Sequence, residues 1–120
     1  MEVIFEYSRA QAIADGVLID VSLMATEAGF RFPVALTSAV WGLCVEVPES
    51  VHHQDENGRL WDLLAVLRHS IRQAKNRHEV HFELSVQKSP ERTESVELKA
   101  ACGPGDELEP VITVMLPYED

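Results

Sequence analysis

A chain of 120 residues that is 46% hydrophobic has the size and composition of one folded domain, able to bury a core without a disulfide or a metal and too apolar for disorder. Twenty acids against ten bases give a net charge of −10, which argues against general nucleic-acid binding because phosphates are repelled over most of the surface. No apolar run approaches the roughly 20 residues of a membrane span, and the acidic start MEVIFEYSRAQ lacks the basic region of a secretory signal, so the expected compartment is the cytoplasm.

In chain order, VIFEY at residues 3–7 is β-branched and aromatic and reads as a short strand. Ser8 is placed to cap a short helix, RAQAIAD, which Gly16 stops. VLIDV follows as either a strand or an extended link. Asp20 or Ser22 caps a second helix, LMATEA, which Gly29 ends. FRFPVALT reads as a connector, since Pro33 keeps Phe32 out of helical geometry. Thr37 is placed to cap a third helix over 38–47, with Ala39, Val40, Leu43, Cys44 and Val47 on its apolar face and Pro48 as its stop.

PESVHHQDENG is a polar loop, and after it comes the strongest helical signal in the chain. Leu60, Leu64, Leu67 and Ile71 recur at i, i+4, i+7 and i+11, and Leu63 and Ala74 widen that stripe. Acids at the head (Asp55, Glu56) and bases toward the tail suit the helix dipole. Gly58 leaves the first turn open between Asp55 and Arg59. Residues 59–77 carry five bases and one acid, so the negative charge lies on the two flanks.

Past residue 78 the period changes from 3.6 to 2. Val80, Phe82, Leu84 and Val86 alternate with Glu79, His81, Glu83 and Ser85, and Val96, Leu98, Ala100 and Cys102 alternate with Ser95, Glu97 and Lys99. SPERTE and GPGDELEP are the turns. VITVMLP is apolar at nearly every position and needs cover on both faces, so it is either central or beneath the N-terminal segment. The expected fold is a single α+β domain over 1–120. It is an antiparallel three-stranded meander, with or without an N-terminal strand, packed on one long helix and several short N-terminal helices.

Few residue groups point to chemistry. His52, His53, Asp55 and Glu56 are metal-ligand types, but adjacent histidines on a loop diverge and no matching second half stands elsewhere, so no metal is expected. Cys44 and Cys102 sit in apolar patterns and read as buried free thiols, although a bridge between them stays open. A thiol nucleophile needs a half-exposed, electropositive setting that Cys44 is not expected to have. Trp41 and Trp61 read as core anchors. The side of the long helix bearing Arg68, Arg72 and Lys75 is either a solvated face or a partner for the protein's own carboxylates.

Four segments, FEYSRAQAIADGVLIDVS, EAGFRFPVALTSAVW, HQDENGRLWDLL and GPGDELEPVITVMLPYED, resemble the successive blocks of an uncharacterised family, a domain of unknown function found in short proteins of bacterial plasmids, phages and integrated elements. The likeness runs over nearly the whole chain. It carries no catalytic or binding residues to transfer, and it implies a cytoplasmic accessory protein of a mobile element.

Residues and resemblance together lead to an expectation of binding, without catalytic residues or a cofactor. The partner would be a basic nucleic-acid-binding host protein, as for an anti-CRISPR or anti-restriction inhibitor. Contact would be made by Glu79, Glu83 and Glu97 on the strand face and by Asp106, Glu107 and Glu109 on the turn. Two alternatives stand beside it. One is a small enzyme or ligand-binding domain whose site joins His52, His53 and Asp55 to Trp61. The other is a structural homodimer paired through an edge of the meander.

Overall fold

Local signals in the first third of the chain set its helix ends. In the computed structural model, which describes residues 7–75 and 78–119, Ser8 accepts from Gln11 N at 3.0 Å while Gln11 Oε1 accepts from Ser8 N at 3.1 Å. This capping box starts α1, Arg9–Ala14. Gly16 (φ 78°) then takes the left-handed turn that ends α1, with Gly16 N donating to Ile13 O and Val17 N to Ala12 O. Gly29 (φ 99°) ends α2, Ser22–Glu27, with the same bond pattern to Thr26 O and Ala25 O. The strand expected over residues 3–7 lies outside the described residues except for Tyr7, which belongs to no regular element.

Among the described residues the sheet has five strands and is mixed, so the expected three-stranded antiparallel meander describes only part of it. β1 is Leu18–Asp20 and β2 is Val34–Thr37; β3, β4 and β5 are Glu79–Ser89, Arg92–Pro104 and Pro110–Met115. Their order across the sheet is β1-β2-β5-β4-β3. β3, β4 and β5 are antiparallel in succession, while β5 pairs in parallel with β2 on its other side. VITVM is thus the central strand, which explains its unbroken apolar character. VALT, read as part of a connector, is a strand buried at Val34, Ala35 and Leu36. Four residues after a proline show no period of their own; parallel pairing with a segment almost eighty residues away gives them strand geometry. The β3–β4 hairpin is also longer and tighter than expected. Ser89 pairs with Arg92 after a register shift at Gln87, so most of SPERTE is strand.

Thr37 caps the third helix as expected, its hydroxyl accepting from Val40 N. Only Ser38–Val40, here α3, is α-helical; Trp41–Val45 continues as a π-helical turn closed by Glu46 N to Trp41 O at 2.9 Å. The wider turn rotates the face that follows. Val40, Cys44 and Val45 reach the core, whereas Leu43, expected on the apolar side, is 40% exposed.

α4, Glu56–Gln73, begins where Asp55 Oδ1 accepts from Gly58 N at 2.7 Å. Leu60, Leu63, Leu64 and Leu67 are buried and form one core with Phe82, Leu84, Val86 and Leu98 of β3 and β4 and with Val34, Leu36 and Val114 of β2 and β5. Ile71 packs on that core half-buried. Trp61 points away from it and is 44% exposed, which corrects its reading as a core anchor; Trp41 packs against the core's edge. One base joins the interior. Arg59 is 6% exposed, donating from Nε to Cys44 O at 3.1 Å and from Nη1 to Gln54 Oε1 at 2.9 Å and Gln87 O at 3.0 Å.

α1 and the C-terminal turn lie on the other face of the sheet, over its middle. Arg9 donates to Thr113 Oγ1 at 2.6 Å and Ile112 O at 3.0 Å. Lys99, on the polar side of the β4 alternation, is half-buried, and its Nζ donates to Pro117 O at 3.3 Å and Glu119 O at 2.9 Å.

Replacing Arg59 with Met is expected to lower stability by about 2–3 kcal/mol in urea unfolding, because two carbonyls lose their donor inside the protein. Leu67→Ala should lower it by about 2–5 kcal/mol through the cavity it leaves.

Candidate functional site

Strand alternation delivers the first group of expected contact residues to one surface. On the face of β3 and β4 opposite α4, Glu79 lies across from Ala101, His81 from Lys99, Glu83 from Glu97 and Ser85 from Ser95. Glu79, His81, Glu83 and Glu97 are exposed. Glu83 and Glu97 are directly opposed, which places their Cβ atoms about 5 Å apart and makes the pair repulsive. Glu79 is relieved by His81, whose Nε2 lies 3.0 Å from Glu79 Oε2. That contact, first among the influences on it, holds the Glu79 carboxyl below its ordinary value.

The acidic turn is built differently. Gly105 N donates to Glu109 O at 2.6 Å and Leu108 N to Gly105 O at 3.0 Å, with Leu108 at φ 65°. The Glu109 side chain folds back over Gly105, where a Cβ would collide with Glu109 Oε1. Asp106 accepts from Arg9 N at 2.8 Å and Ala10 N at 3.0 Å, so its carboxylate clips the start of α1 to the β4–β5 turn. Those two backbone bonds, Ala10 first, lower its pKa. Glu107 stands exposed at the tip beside Leu108. The six acids therefore form two groups: Glu97 lies seven strand residues from Pro104, about 23 Å of extended chain.

The alternative constellation is dispersed. His52 and His53 are exposed, Asp55 is the cap of α4, and Trp61 lies on the outer side of that helix. An open depression nearby is lined by Glu46, Val47, Gln54, Asp55, Glu56 and Asn57, and neither histidine nor the tryptophan borders it. Burial pushes the Cys44 thiol up in pKa, against a smaller downward pull from Lys88 and Arg59, so it stays protonated at neutral pH. Both cysteines are free, with Cys102 half-buried. Among the described residues no group of three or more His, Cys, Asp or Glu side chains could hold a metal ion, and no helix is long and apolar enough to cross a membrane.

A basic feature was only half visible in the sequence. Arg68 and Arg72 of α4 share a groove with Arg31, which arrives from the loop after α2. The helical period placed the first two on one side; nothing local announced the third.

Because the folded pKa of Asp106 is lowered, its contribution is full above the ordinary value of 3.8 and is lost as pH falls through the lowered one. Amide exchange at Arg9 and Ala10 should accelerate in that acid window. Asp106→Asn should remove the acid dependence and raise exchange at those two amides at neutral pH.

A family model described as "Family of unknown function (DUF6573)" matches residues 1–120. No curated protein and no solved structure matches the chain.

Proposed function

The chain belongs to that family of unknown function, DUF6573, and from this premise we propose that it acts by binding a protein of basic surface through the uncovered face of β3 and β4. The observation that carries this reading is the direct register of Glu83 with Glu97 on that face. Like charges directly opposed on a sheet oppose folding by about 0.2–1 kcal/mol. A neutral polar residue at either position would remove the repulsion without disturbing the core, so the fold forgoes stability at that spot. A cationic partner relieves the repulsion and gains from it, and the net charge of −10 speeds its approach.

The resemblance to proteins of plasmids and phages supports a narrower form of this reading. The partner would be a host defence protein, a restriction or CRISPR effector, whose basic groove ordinarily holds nucleic acid. Glu83, Glu97 and Glu79 would stand where phosphates stand, with Glu107 on the turn as a separate contact. Asp106 is already committed to α1 and is left out of the contact.

The test is competition with duplex DNA for a purified host effector of that class. The expected result is displacement of the DNA that weakens as salt rises. The double substitution Glu83→Gln, Glu97→Gln should weaken displacement about tenfold while raising the melting temperature by roughly 1–5 °C. Unchanged displacement by the double variant, or a lower melting temperature, would overturn the proposal.

A further inference from the structure

We infer that the groove between α4 and the loop after α2 is a binding site for a small molecule that carries an oxyanion, such as a phosphate ester, on a flat apolar body. The inference is independent of the acidic face and rests on what the basic residues do in this fold. Five of the nine described find partners within it. Arg9 donates to Thr113 and Ile112, Arg59 to Cys44, Gln54 and Gln87, Lys88 to Leu43 O, Lys99 to the C-terminal turn, and Arg92 pairs with Glu94. Among the described residues Arg31, Arg68, Arg72 and Lys75 have no hydrogen bond or ion pair, and the three arginines line the same groove. Among the described residues no acid lines it, in a chain that has twenty. Uncommitted guanidinium groups gathered in a strongly acidic protein hold their donors free for an anion from outside.

Arg68 is also held in place. Gly29, at φ 99°, brings the loop backbone against its guanidinium: a Cβ there would lie 2.9 Å from Nε, 3.0 Å from Cζ and 3.1 Å from Nη2. Near-equal distances to three atoms of a planar group mean that the plane lies flat on the glycine, leaving its edge donors clear. Glycine serves two ends at this position, closing α2 and seating Arg68. The helix dipole accounts for a base such as Arg72 in the last turn of α4. It does not account for Arg31, which comes from a loop.

The body of the ligand follows from the rest of the lining. Val80, Ala100, Cys102 and Ile112 form a floor of small and apolar side chains at the end of the sheet. Phe30 and Phe32 come from the loop, and Phe32 is 41% exposed. The volume is about 430 Å³, within the roughly 300–1,000 Å³ of small-molecule sites. Flat apolar rings stack on phenylalanine and arginine faces, and a phosphate takes paired donors from arginine.

Titration calorimetry of the full chain with 1-naphthyl phosphate tests this, with 1-naphthol and inorganic phosphate as separate arms. The ester should bind at least about tenfold more tightly than either half, because it alone uses both floor and rim. Arg68→Met and Arg31→Met should each weaken it about tenfold, and Arg92→Gln, away from the groove, should leave it unchanged. If Arg68→Met unfolds the protein, Arg31→Met, at an exposed loop position, carries the test alone. The inference is overturned if the ester does not bind, if naphthol binds as tightly as the ester, or if the folded arginine variants bind it like the wild type.

Discussion

A single buried guanidinium fixes how the long helix meets the sheet. Arg59 stands in the first turn of α4 and donates to the π-helical turn at Cys44 O, to the preceding loop at Gln54, and to β3 at Gln87 O. Three segments that share no backbone ladder are thereby tied to one rigid planar group. The tie sets the rotation of α4, and rotation decides that Leu60, Leu63, Leu64 and Leu67 fall on the sheet. Among the described residues its Nη2 has no hydrogen-bond partner and no carboxylate pairs with it, so the contact is one of positioning rather than of charge neutralisation.

What the chain revealed in advance was whatever repeats locally. The leucine stripe of α4, the alternation of β3 and β4 and the glycine stops at Gly16 and Gly29 are each legible within a few residues. β2 was not, because VALT is four residues long and its strand character comes from Ile112 to Val114. The π-helical turn left no periodic trace, so Leu43 was placed on the wrong side. Arg59 looked like the other bases of its helix; only the fold distinguishes a base that enters the core from bases that border a groove.

The candidate surfaces follow the same division. Glu79, Glu83 and Glu97 could be assigned to one face from alternation alone. Asp106 and Lys99 could not be assigned their roles, since Asp106 caps amides 96 and 97 residues away and Lys99 meets carbonyls near the C-terminal end. α1 and the C-terminal turn cover the middle of the outer sheet and reach β4 at Lys99, leaving Glu79, His81, Glu83 and Glu97 exposed beyond it. The result is a molecule with two unlike surfaces: an exposed strand face crowded with carboxylates, and a groove on the helix side lined by three arginines and, among the described residues, by no carboxylate.

The position of β5 bears on how the protein is made. Among the described residues β1 with β2, and β3 with β4, are two antiparallel pairs joined in the sheet through β5. Until residues 110–115 have left the ribosome, neither pair has its inner neighbour, and each presents an open edge of backbone donors and acceptors. Closing the sheet therefore comes late in synthesis and requires a segment to slot between two others already present, a long-range event of the slow kind. Nascent chains halted before that point would be the species most exposed to aggregation.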